Sequence, residues 1–128
     1  MPRILLLDDS PTQALHLGRQ LREFGHEVAA VVDLSDAQAA VVAGGIDLAL
    51  VELNLLQDNG FDAGLSLLRA GVSQVLLMSG VWRETDDIWA RALGLQGVLT
   101  RPITAPRLAA RIAQLQGTTD SGIGAGYG

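Results

Sequence analysis

Five short apolar runs punctuate the chain, and each ends on polar residues that lead into a stretch with helical spacing. The runs are Ile4–Leu7, residues 28–32, residues 48–51, residues 75–78 and the brief Val98–Thr100. Continuous apolar runs of this length are what strands buried on both faces require. They end, where chemistry-bearing residues follow, on Asp8-Asp9, on Glu52, on Ser79-Gly80 and on Arg101-Pro102.

Between them lie the helices. Ser10-Pro11 gives a capping residue followed by proline at the first helical position. Ala14, Leu17, Leu21 and Phe24 then recur on one face before Gly25. Ser35 offers a cap for a second helix with Ala37, Ala40 and Val41 inward, stopped at Gly44-Gly45. A third runs through Leu65 and Leu68 to Gly71, with Gly64 inside it as a mildly unfavourable residue. A fourth is expected over about 83–93, with Ile88 and Ala92 at i,i+4 spacing, and a last one carries Leu108, Ile112 and Leu115 at core spacing. Beyond Gly117 the chain is rich in glycine and small polar residues, so we expect a folded unit over 1–116 and a flexible tail or linker over 117–128.

Strict alternation of strand and helix predicts an α/β fold: a doubly wound, five-stranded parallel sheet covered on both faces. Strand order 2-1-3-4-5 places the first and third strands side by side at the switch point. Asp8, Asp9 and Glu52 then share one crevice, with Ser79 and Arg101 opening onto the same edge.

Composition narrows the chemistry. The 128 residues suit one domain, and 48% apolar with only 4% aromatic content makes an aliphatic core. No cysteine is present, which removes disulfides, thiolate metal sites and thiol nucleophiles. A net charge of −5 without a basic cluster disfavours nucleic-acid binding by this domain alone. The apolar runs are too short to span a membrane, and no signal peptide opens the chain, so a soluble cytoplasmic protein is expected. All nine basic residues are arginines, so no lysine ammonium is available to any mechanism.

Three clustered carboxylates repel unless a cation sits among them, and hard oxygens of this kind suit Mg²⁺. A hydroxyl and a guanidinium across the crevice are donors fit for a phosphoryl group or another carboxylate. The acidic pair after the first run, the carboxylate ending the third, Ser79-Gly80 and the basic residue before Pro102 together resemble a response-regulator receiver domain of two-component signalling, with a CheY-like (flavodoxin-like) fold. The resemblance covers roughly residues 3–116.

It implies that Asp8 and Asp9 bind Mg²⁺, Asp9 directly, with the Asn54 backbone carbonyl as a further ligand and Glu52 beside them. It implies that Ser79 and Arg101 stand where the family contacts phosphoryl oxygens, and that the Arg101-Pro102 bond is cis. Two positions depart from the family pattern. Glu52 stands where an aspartate accepts phosphate from a histidine kinase, and Arg101 stands where a lysine is usual; the aromatic three residues earlier is Val98. One extra methylene pushes the Glu52 carboxylate about 1.5 Å deeper into the crevice, and an ångström of misplacement can cost ~100-fold in such a reaction. We therefore expect a non-enzymatic, atypical receiver in which Glu52 pairs with Arg101, directly or through water. Phosphorylation at Asp9 or Asp58 is the alternative, although Asp58 also suits a solvated turn.

Trp82 and Trp89 lie seven residues apart, which places both on one side of the predicted fourth helix. They are read as a partner surface on the face formed by the fourth helix, fifth strand and fifth helix. A histidine kinase, an output domain or a second copy of the chain are the expected partners. A flavin carrier or phosphohydrolase fits less well, because Asp8-Asp9 repels a phosphate at the first loop and the second aspartate follows too closely.

Overall fold

The computed structural model describes residues 2–125, with side chains described to Gly117. The elements alternate throughout: β1 (Ile4–Leu7), α1 (Pro11–Glu23), β2 (Val28–Val31), α2 (Leu34–Ala43), β3 (Leu48–Glu52), α3 (Gly60–Arg69), β4 (Gln74–Ser79), α4 (Glu84–Ala92), β5 (Val98–Thr100) and α5 (Ala105–Ala125). The expected tail lies almost wholly outside the residues with described side chains. All strand pairs are parallel, in the order β2-β1-β3-β4-β5, as the alternation predicts.

The pleat divides the core in two. Leu5, Leu7, Ala49, Val51, Val75 and Leu77 point to one face, where Ala37 of α2, Ala63 and Leu67 of α3 and Ala90 of α4 cover them. Ile4, Leu6, Leu48, Leu50, Leu76 and Met78 point to the other, under Leu17 and Leu21 of α1 and Leu108, Ile112 and Leu115 of α5. Successive residues face opposite sides of a strand, so two-sided burial turns each strand into an unbroken apolar run.

The helix ends follow local chemistry. Ser10 caps α1 by accepting from the Gln13 N–H, with Pro11 first in the helix, as expected. For α2 the cap is Asp33, two residues ahead of the expected Ser35; its carboxylate accepts from the Asp36 N–H at 2.8 Å and starts the helix at Leu34. Gly64 packs where a methyl group would lie 3.1–3.2 Å from Leu95 and Val75, which accounts for a glycine inside α3.

The fourth helix departs most from expectation. It begins at Glu84, so Trp82 precedes it and the seven-residue spacing with Trp89 does not set their relation. Its inward residue is Ala90, while Ile88 and Trp89 are each 58% exposed. Ala92 also faces outward. The inward row instead includes Asp87, whose Oδ1 accepts from the Val98 N–H (2.8 Å) and whose Oδ2 accepts from Arg91 (2.9 Å). Burial raises the Asp87 pKa, but these bonds and the arginine charges outweigh it and hold the carboxyl below its ordinary value. Gly97, at φ +98°, passes so close that an added Cβ would stand 2.4 Å from Asp87 Oδ1. From α5, Arg111 donates to the Gln96 carbonyl at 2.6 Å. Phe24 likewise faces solvent more than its spacing suggests. Among the described residues, no helix is long and apolar enough to cross a membrane.

Candidate functional site

The carboxyl ends of β1, β3, β4 and β5 open on one edge of the sheet, which is how residues distant in sequence come together. Asp8 directly follows β1 and Glu52 closes β3; they are 1% and 5% exposed. A buried carboxylate needs partners. Asp8 Oδ1 accepts from the Ser10 N–H at 2.9 Å, and Glu52 Oε2 accepts from the Asn54 N–H at 2.9 Å.

Their remaining oxygens face one cation. Arg101 Nη2 donates to Glu52 Oε1 and stands 3.5 Å from Asp8 Oδ2. The expected Glu52–Arg101 pair is therefore direct, and it extends to Asp8. Arg101 is held from its backbone as well. Its N–H donates to the Ser79 carbonyl at 2.8 Å, tying the end of β5 to the end of β4. Arg107 reaches back to the carbonyls of Thr100 (2.8 Å) and Pro102 (2.6 Å), bracing the turn on both sides of Arg101. The Arg101-Pro102 bond is cis.

The other expected site residues take different partners. Asp9 is tied to the loop after β3: its Oδ2 accepts from the Leu56 N–H at 2.6 Å. Ser79 is fully buried, and its Oγ accepts from the Val81 N–H at 3.2 Å. Among the described residues its hydroxyl makes no hydrogen bond to the Glu52 or Arg101 side chain. Asn54 and Asp58 are exposed in the loop after β3. A cavity of about 200 Å³ opens beside Asp8 and Arg101, walled by Gln13, Leu17 and Ile103 among others.

The implied Mg²⁺ can be tested against this donor set. Glu52 has both oxygens bonded, Asp9 has one given to Leu56, and the free side of Asp8 faces a guanidinium. Among the described residues, no group of three or more carboxylate or histidine side chains is arranged to hold a metal ion. As arranged, these residues do not fit a divalent cation, and Arg101 supplies the positive charge beside Asp8 and Glu52 instead.

Burial raises the Asp8 pKa; the Ser10 N–H opposes it, Glu52 reinforces it, and Arg101 lowers it without restoring the ordinary 3.8. A carboxyl with a raised folded pKa stabilises the fold below its unfolded pKa and loses that contribution as pH rises through the folded value. Asp8→Asn, which keeps an acceptor for Ser10, is expected to raise Tm at pH 7. Below pH 3.8 it should change Tm little. Thermal unfolding across this range checks it, and an unchanged or lower Tm at pH 7 would contradict it.

Sequence reasoning missed Arg107 and Asp87. The available signal was indirect: an arginine just beyond a strand-end proline, and an acidic residue on a helix whose large apolar residues lie elsewhere.

Comparison with known proteins bears on the fold and the family. The family model described as the response regulator receiver domain matches residues 4–113. The chain is 30% identical over 106 residues to Protein PilH of Pseudomonas aeruginosa, covering 80% of this chain and 88% of that protein. It is 34% identical over 114 residues to the transcriptional regulatory protein TcrA of Mycobacterium tuberculosis, covering 88% of this chain but 45% of TcrA. A two-component response regulator from Clostridium difficile superposes with a TM-score of 0.86 at 17% identity, over 94% of this chain and all of that one. Fold, strand-end residues and family match converge: the chain belongs to the response regulator receiver domain family of two-component signalling.

Proposed function

We propose that this receiver domain signals through protein contact, in a shape held by the Glu52–Arg101 pair rather than by phosphorylation at position 52. The observation that carries this reading is the pair itself. The carboxylate at the phosphoacceptor position has both oxygens engaged, one by Arg101 and one by the Asn54 N–H. An engaged carboxylate with an extra methylene is a poor nucleophile for in-line attack. No enzymatic step is assigned to the domain.

The partner is a protein, a histidine kinase or an output domain, with a second copy of the chain as a further possibility. Exposed Val81, Trp82, Ile88 and Trp89 beside β5 support the face formed by α4, β5 and α5. The net charge of −5 argues against nucleic acid as the partner of this domain alone.

Incubation with acetyl phosphate and Mg²⁺, followed by intact mass measurement, tests the reading. The mass is expected to stay that of the unmodified chain. A phosphoryl adduct mapped to Glu52, Asp9 or Asp58 would overturn it, and the last two would favour phosphotransfer to a substitute aspartate.

A further inference from the structure

We infer that Arg101 is a tethered cation which takes the charge-balancing place of a divalent metal, so that this chain excludes Mg²⁺ and Mn²⁺ while Arg101 is present. The inference deepens the proposed function and rests on its Glu52–Arg101 pairing. Asp8 and Glu52 are nearly inaccessible, and their ionised forms need positive charge nearby. One guanidinium nitrogen meets an oxygen of each. A divalent ion placed between the same oxygens would stand a few ångströms from a fixed positive charge beside two largely buried carboxylates, where like charges repel.

Three further features make Arg101 a durable occupant. Its guanidinium is weakly hydrated, so burying it is easier than burying an ammonium. Its backbone is tied to Ser79, and Arg107 braces the turn around it. It is part of the chain, so it competes with free metal at a high effective concentration. The remaining carboxylate oxygens also have backbone donors, at Ser10, Asn54 and Leu56. These bonds hold the carboxylates in place, so metal entry turns on displacing the arginine.

Removing the tethered charge should expose a metal site at Asp8 and Glu52, with the Asn54 carbonyl available beside them. The test is titration of wild type, Arg101→Met and Arg101→Lys with MnCl₂ alone. The readouts are the free-ion paramagnetic resonance signal and thermal unfolding. Wild type is expected to show no saturable uptake through the millimolar range. Arg101→Met is expected to bind one Mn²⁺ at least about tenfold more tightly than wild type. Its Tm should rise by about 5 °C at tenfold excess over Kd. EDTA should reverse that rise, and adding Glu52→Gln should abolish it.

Should Arg101→Met fail to fold, Arg101→Lys decides the matter. Its ammonium is more strongly hydrated and costlier to bury than a guanidinium, so it holds the two carboxylates less firmly and is expected to admit Mn²⁺ measurably. Saturable Mn²⁺ binding by wild type overturns the inference, and so does absence of a gained site in the folded variants. Metal binding by wild type without a phosphoryl adduct would overturn this inference and leave the proposed function standing. A phosphoryl adduct on a chain that excludes metal would do the reverse.

Discussion

Arg101→Met is expected to destabilise the fold by about 3 kcal/mol at pH 7, the largest effect of any arginine replacement in the chain. Removing one partner of a buried ion pair typically costs ~3–5 kcal/mol, because the other charge is left without compensation. Here two carboxylates are left, Asp8 and Glu52, at 1% and 5% exposure. The low end of the range applies for two reasons. The Arg101 side chain is 22% exposed, so water can reach the vacated space. Each carboxylate also keeps one backbone N–H donor.

The loss should shrink on acidification. Asp8, whose pKa burial already raises, takes up a proton more readily once the guanidinium is gone and then no longer needs a cation. Urea unfolding at pH 7 and pH 4 measures both points. Arg19, exposed on α1, is the control, and its replacement should stay within about 0.5 kcal/mol. A loss below about 1 kcal/mol for Arg101→Met would place the pair among ordinary surface ion pairs.

Gly60→Ala is expected to cost a similar amount, about 3 kcal/mol, through a purely steric route. Gly60 opens α3 and its N–H donates to the Leu53 carbonyl at 2.8 Å. A Cβ there would stand 2.5 Å from Leu53 Cα and 2.7 Å from the Glu52 carbonyl oxygen. Those atoms belong to the end of the central strand, whose backbone is bonded to β4 through the Leu53 N–H and Met78 carbonyl. Neither side can yield cheaply, so the helix start must move away from the strand. The displacement falls on Glu52 first, and the variant should also lose part of the Arg101 contact. Gly80→Ala, with open space around the added methyl, should shift Tm by little. Equal shifts for the two variants would refute the steric account.

The sheet was legible in the sequence because two-sided burial writes itself as Ile4–Leu7 and its counterparts, with no helical spacing to confuse them. Once strand order followed, Asp8, Glu52, Ser79 and Arg101 had to lie on one edge, since parallel strands end together. What the sequence left open depended on a few tenths of an ångström or on loop backbone. Whether Asp9 points to the crevice or to the Leu56 N–H is settled by the path of the loop after β3, which no local pattern encodes. That Ser79 accepts from Val81 and does not donate into the crevice is of the same kind. The orientation of α4 was misjudged because nine residues hold too few turns for apolar spacing to fix a face. There the polar Asp87, held by the Val98 N–H, outweighs Ile88 in setting which side turns inward.

That Asp87 contact has a mechanical consequence. One carboxylate joins α4 to the first amide of β5, and Arg111 fastens α5 to the segment just before it. The three elements are thus cross-braced at one end and tend to move as a block. A protein that closes over Trp89 meets a surface already stiff, and little conformational freedom remains to be lost on docking. The same bracing holds the start of the strand whose end leads directly into Arg101.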